Sequence, residues 1–182
     1  MARVSYATTS QAIGDAREVL AQMGQRGTET LNIHRAIARS PNSLRNFLRL
    51  GNSLLAHGQL PAHLRELAIL RIAQLTGTDY EWAHHVPIAK RAGVKDAQIA
   101  ALRDWRNASE FKDAERAVLD YVEASTKCDV TDAVFEAARN HLSEGEIVEL
   151  SLVCGYWGMV ACVLLALRID VEQSSRKYLP IP

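Results

Sequence analysis

Two carboxylates and an imidazole carry the chemistry legible in this sequence. At 100° per residue, Glu66 shares an arc of about 120° with Ala62, Ile69, Leu70, Ala73 and Gly77, which puts it on an apolar helix face. Burying it unpaired costs several kcal/mol, so it needs a hydrogen-bond partner, a raised pKa, or both. On the next segment Glu81 and His85 stand at i and i+4 in line with Ile88 and Ala92, and His84 lies about 60° to one side. A short turn at Gly77 lets the two segments pack face to face, so that Glu66, Glu81 and His85 can meet in one partly desolvated hollow walled by Tyr80 and Trp82. Two acids and an imidazole held in different environments are the set that proton transfer requires.

The same residues admit plainer roles. Glu81 completes a capping box with Thr78 (TDYE), Glu66 pairs with a neighbouring arginine, His85 is a satisfied core histidine, His84 a surface or supporting residue, and Tyr80 and Trp82 are core aromatics. Glu81 and His85 at i, i+4 could also chelate a divalent metal with Glu66 or His84, but the sequence fixes no third ligand and no metal is expected.

Helices must position these groups, because nearly every segment reads at helical period and no strand-type alternation is visible. The chain is expected to be all-α. Helices are predicted after Ser10, over about 29–39, and after Ser40, with Pro41 in the first turn and Gly58 as the stop. The next runs from Pro61 to about Leu75 and closes at Gly77. The helix from Asp79 to about Arg91 holds Pro87, which predicts a bend or unwinding over 83–87 before Gly93 ends it. Further helices are expected over about 96–105, 113–126 and 132–141. A second capping box, Ser143 to Glu146, opens a long apolar helix to about Arg168. The tail from Glu172 is expected to be mobile or docked on another subunit. Two helix pairs joined by capping boxes hint at an internal duplication.

The 182 residues are 48% apolar and 23% charged, with 10 Gly and 5 Pro, which suits one compact domain over 1–182 and excludes collagen-like, low-complexity and disulfide-scaffold classes. Twenty-one basic residues balance 21 acidic ones, so no nucleic-acid partner is expected. The 18 uncharged residues 150–167 reach membrane-span length. Glu149, Ser151, Gly155, Gly158 and the lack of a basic flank favour a helix buried in the domain or a subunit interface, with no membrane partner. The N-terminal stretch shows no apolar signal core, which reads as cytoplasmic. Cys128, Cys154 and Cys162 form no CxxC pair and are expected to be reduced, buried thiols.

The run from Arg65 to Val94 (RELAILRIAQLTGTDYEWAHHVPIAKRAGV) resembles the carboxymuconolactone decarboxylase family, which includes the alkylhydroperoxidase D-like proteins, through its REL, YEWxxH and AxxxG motifs. The likeness is densest over about 41–125 and continues loosely into GYWGMV in the last helix. It implies an alkylhydroperoxidase D-like helical domain, assembled as a homotrimer or homohexamer, with sites near subunit contacts. In the hydroperoxidase branch the motif's glutamate falls on Glu66 and its histidine on His85, while Thr78 and Glu81 occupy the two cysteine places. Neither can run a thiol cycle. The remaining branch implies a cofactor-independent lyase or isomerase acting on a small carboxylated lactone or ring acid. His85 is then the general acid, Glu66 its orienting partner and Glu81 a second proton carrier, with Thr78, Tyr80, Trp82 and His84 around the substrate. A peroxidase, a metal-binding protein and a non-catalytic oligomer are the competing readings.

Overall fold

A computed structural model describes residues 1–27 and 29–182, and every regular element among them is helical. The order is α1 (Gly14–Gln25), α2 (Asn32–Ile37), α3 (Leu44–Ala56), α4 (Ala62–Thr76), α5 (Asp79–Arg91), α6 (Asp96–Ala101), α7 (Asp113–Thr126), α8 (Asp132–Arg139) and α9 (Glu144–Leu167), with short 3-10 turns at Leu102–Asp104 and Arg176–Tyr178. The central element is α4, which packs against α5, α7 and α9 at once. Its residues explain that place: Leu64, Leu67, Ala68, Ile69, Leu70, Ile72 and Ala73 cover all sides of the helix, so no face is left for water. One core joins α4 to α7 and α9 through Ile69, Val118 and Leu150, and another joins it to α5 and α6 through Leu67, Trp82 and Ile99. Ala16, Leu20 and Leu44 form a third between α1 and α3.

Local sequence sets the α4–α5 junction that builds the site. Gly77 takes a left-handed φ of 67°, a conformation glycine reaches without cost, and reverses the chain within two residues. The helix α5 then runs unbroken to Arg91 with Pro87 inside it, so the expected unwinding does not occur. The Ser143 box opens α9 as expected, Ser143 Oγ accepting from the Glu146 N–H while Glu146 accepts from the Ser143 N–H at 2.7 Å.

Several expected boundaries move. The chain turns through 40–43 instead of starting a helix at Pro41, because the Ser40 hydroxyl pairs with Ser43 at 2.7 Å and leaves Ser43 as the residue before α3. Thr78 does not cap α5. Its hydroxyl bonds Thr76 Oγ1 at 2.6 Å, so the first predicted capping box is absent and the case for a duplicated helix pair loses one of its two supports. Of the cysteines only Cys154 is buried, its thiol pushed up to about 12 by burial, whereas Cys128 and Cys162 are exposed.

The tail docks on its own chain. Glu172 Oε1 accepts from the Asn32 N–H at 2.6 Å and from the Tyr80 hydroxyl at 2.7 Å, and Trp82 Nε1 donates to the Tyr178 carbonyl at 3.1 Å. His84 Nε2 lies 2.8 Å from Glu172 Oε2 as an ion pair. Burial raises the Glu172 pKa, but these donors outweigh it and hold the carboxyl at about 2. The folded value lies below the ordinary 4.5, so this contribution is present above pH 4.5 and disappears as pH falls through about 2. Glu172→Ala removes the shared acceptor. Amide hydrogen exchange over 170–178 should then quicken with the core unchanged, and unaltered protection there would show that Glu172 does not anchor the tail.

Candidate functional site

Glu66 is fully buried, and both of its oxygens are used. Arg65 Nε donates to Oε1 at 3.1 Å, and His85 Nδ1 lies 2.8 Å from Oε2. On the far side of the imidazole, Trp157 Nε1 from α9 donates to His85 Nε2 at 3.0 Å. An indole N–H is a donor only, so Nε2 must be the bare nitrogen and the proton sits on Nδ1, donated to Glu66. Four residues from α4, α5 and α9 thus form one chain of hydrogen bonds, Arg65–Glu66–His85–Trp157. The acid and imidazole singled out in the sequence do meet, and Glu66 also has the arginine partner anticipated for it. The nitrogen that would have to donate if His85 were the general acid carries no proton in this arrangement.

Glu81 is placed differently. It is 2% exposed, neither carboxylate oxygen has a hydrogen-bond partner among the described residues, and burial alone pushes its pKa to about 9. It therefore stands as a neutral carboxylic acid at pH 7. It borders a cavity of about 680 Å³, within the range of small-molecule sites, enclosed by α1, α2, α3, α5 and α9. Leu31, Phe47, Leu55, Ile88, Tyr156 and Val160 supply apolar walls, and His85, Trp157 and Glu81 face the cavity from two sides. Gly51 lets α3 approach α9 closely, since a Cβ there would lie 2.5 Å from the Tyr156 hydroxyl, which donates to the Phe47 carbonyl at 2.9 Å.

Tyr80 and His84 line the cavity beside Glu81, as the sequence suggested. Thr78 and Trp82 do not. Thr78 is buried against Thr76 at the α4–α5 turn, and Trp82 points into the core between α4 and α6 with its N–H spent on the tail. His84 loses basicity by burial but gains more from Glu172 and the Tyr80 carbonyl, so its net shift is upward. His34, unremarked in the sequence, also lines the cavity, and burial lowers it to about 4. Its Nδ1 accepts from the Leu31 N–H at 3.3 Å, leaving the other ring nitrogen as a donor. Two cations, Arg26 and Arg91, flank the opening with no ion-pair partner among the described residues.

Residues 41–124, which contain Glu66, Glu81 and His85, match the family model of the carboxymuconolactone decarboxylase family. Over this segment, a little under half of its length, the chain is similar to that family. A relative from Escherichia coli strain K12, the uncharacterized protein YnjA, is 31% identical over 112 residues, which are 60% of this chain; the chain spans 61% of that relative's length. The fold is shared with the core of an alkylhydroperoxidase AhpD-like, peroxidase-related protein from Ralstonia eutropha JMP134 (TM-score 0.78, 18% identity, 95% of this chain and 93% of the other). It is shared equally with the debrominase Bmp8 (TM-score 0.79, 20% identity, 96% and 95%), a variant of which is known in complex with 2,3,4-tribromopyrrole. The family match stops before α9 and the tail, so Trp157 and Glu172 lie outside it.

Proposed function

We propose that this protein is a cofactor-independent lyase or isomerase that acts on a small, planar, carboxylated lactone or ring acid by proton transfer in the α5 cavity. The observation that carries the reading is Glu81, a buried acid with both oxygens unpartnered at the wall of a largely apolar cavity. A carboxyl kept neutral at pH 7 is what a general acid requires. When a carboxylate leaves as carbon dioxide, the freed electron pair enters a conjugated carbonyl and the resulting enolate takes the Glu81 proton at carbon. Solvent then reprotonates Glu81. Arg26 and Arg91 at the mouth supply the positive charge an anionic substrate needs, and the neutral Glu81 removes the repulsion that two ionised carboxylates would create. That a fold relative accommodates tribromopyrrole supports a planar ring as the guest.

The test is turnover of a panel of carboxylated butenolides, carboxymuconolactone included, followed by loss of ultraviolet absorbance and release of carbon dioxide. Wild type should turn over at least one member and Glu81→Gln none at a comparable rate. Panel-wide inactivity of the folded wild type would remove the reading. A thiol peroxidase is the weaker alternative: the motif's cysteine places hold Thr78 and Glu81, and none of the three cysteines lines the cavity.

The proposal extends to assembly. Val148, Leu152, Met159 and Leu165 are 45–59% exposed on α9, with Gly155 and Cys162 exposed between them. Their 4,3,4,3,3 spacing makes one seam along the helix, and a contiguous exposed apolar stripe of this kind marks a contact surface. This helix is long and apolar enough to cross a membrane by length and composition, but its opposite face is built into the core through Ile147, Leu150, Val153, Trp157 and Leu164. A homo-oligomer closed through α9 accounts for both faces. Light scattering should give a mass of several chains for wild type and a smaller mass for Leu152→Glu; a monomeric wild type would overturn the proposal.

A further inference from the structure

We infer that Trp157 is a positioning residue that latches His85: its indole N–H caps the only free lone pair of the imidazole, so His85 enters the chemistry as a proton acceptor, and only once the indole has turned aside. The mechanistic meaning rests on the acid–base reading above, although the latch itself does not. The chain of donors runs one way. Arg65 and His85 Nδ1 both give their protons to Glu66, and Trp157 gives its own to His85 Nε2. No member can be reversed, because guanidinium and indole have no acceptor and a carboxylate with two donors has no proton to return. The imidazole is therefore fixed as one tautomer from both sides.

The indole is also within reach of a guest. It borders the cavity, meets the His85 ring edge-on at 5.6 Å between centroids, and stacks edge-on against Tyr156 at 4.9 Å. A guest filling the cavity must press on this ring, and displacing it exposes Nε2 one helical turn from the Glu81 carboxyl. Acid and base then stand on the same face of α5. Occupancy thus switches on the base, and the empty site keeps it satisfied, with no buried polar atom of His85 left unpaired.

The assignment is tested on the whole protein by long-range proton–nitrogen correlation spectra. Wild type without ligand should show His85 as the Nδ1–H tautomer at neutral pH, with a scalar coupling across the N–H···N bond between Trp157 Nε1 and His85 Nε2. In Trp157→Phe the tautomer should persist, held by Glu66, while the Nε2 resonance moves toward that of a free imine nitrogen. Carbethoxylation of His85 by diethyl pyrocarbonate, located by peptide mass, should run at least about five-fold faster in that variant, the factor set by releasing one ordinary hydrogen bond. A proton on Nε2 in wild type, no coupling, or equal carbethoxylation rates would each overturn the latch. The wild-type spectra decide the matter if Trp157→Phe does not fold. Failure of Glu81 as proton donor would leave all of these readouts in place, so the two proposals fall separately.

Discussion

Glu81→Gln is expected to lower kcat/KM by about 10²–10⁴-fold, the range for removing a positioned general acid, while leaving the fold intact. Glutamine keeps the shape of the neutral acid but has no proton to give. The pH dependence separates this from a packing effect. Glu81 works in its protonated form, so wild-type activity should fall as pH rises through about 9, and the variant's residual rate should lack that alkaline limb. Stability provides a second, independent readout. The folded value lies above the ordinary 4.5, so between pH 4.5 and about 9 the native state keeps a proton the unfolded chain has released. Wild-type stability therefore declines as pH rises across that window, and Glu81→Gln abolishes the decline. At pH 8 relative to pH 4, the variant should gain up to about 4 kcal/mol on wild type, taking 1.36 kcal/mol per pKa unit. Urea midpoints that differ equally at both pH values would show that Glu81 is hydrated and no acid of this kind.

What the sequence makes legible here is what a helix repeat can express. Glu66 is found because a charge on an apolar arc is an anomaly that must be resolved inside one chain, and Glu81 with His85 because i and i+4 share a face. The turn that brings them together is written in one glycine, Gly77. Capping misleads at Thr78, since the TDYE pattern fits a box equally well whether the hydroxyl bonds its own helix or the neighbouring Thr76. That is also why Glu81 reads as half explained when it has no hydrogen-bond partner among the described residues. Trp82 illustrates a different limit: periodicity puts it near the site, but which of two cores an aromatic enters depends on elements far along the chain, here α6 and the tail. Trp157 and Glu172 are invisible for the same reason. Each acts on α5 across more than 70 residues, 72 from Trp157 to His85 and 92 from Glu172 to Tyr80, and no local pattern encodes such a contact. The buried-helix reading of 144–168 succeeds on one face only, because a helix apolar all round says nothing about how much of it the same chain will cover.

Glu66→Ala is expected to destabilise the protein by about 3–5 kcal/mol, a large share of the 5–15 kcal/mol that holds a typical domain together. Its partners set the size of the effect. Removing the carboxylate strands the Arg65 guanidinium, 7% exposed, with one remaining contact at 3.5 Å to the Leu54 carbonyl, and leaves the His85 Nδ1 proton with no acceptor. A buried charge without its counter-ion is the costly outcome; the same deletion in an exposed pair would cost at most about 1 kcal/mol, so the magnitude itself reports burial. Glu66→Gln should recover only part of the loss, because its amide can accept from one donor but must turn an N–H toward the other. Pairing Glu66→Ala with His85→Ala should cost less than the sum of the two, since once Glu66 is gone the second substitution removes a group that already lacks its partner. Urea unfolding at constant slope measures all four variants against wild type. A Glu66→Ala cost below about 1 kcal/mol, or strict additivity with His85→Ala, would mean that the carboxylate and the imidazole do not share a buried bond.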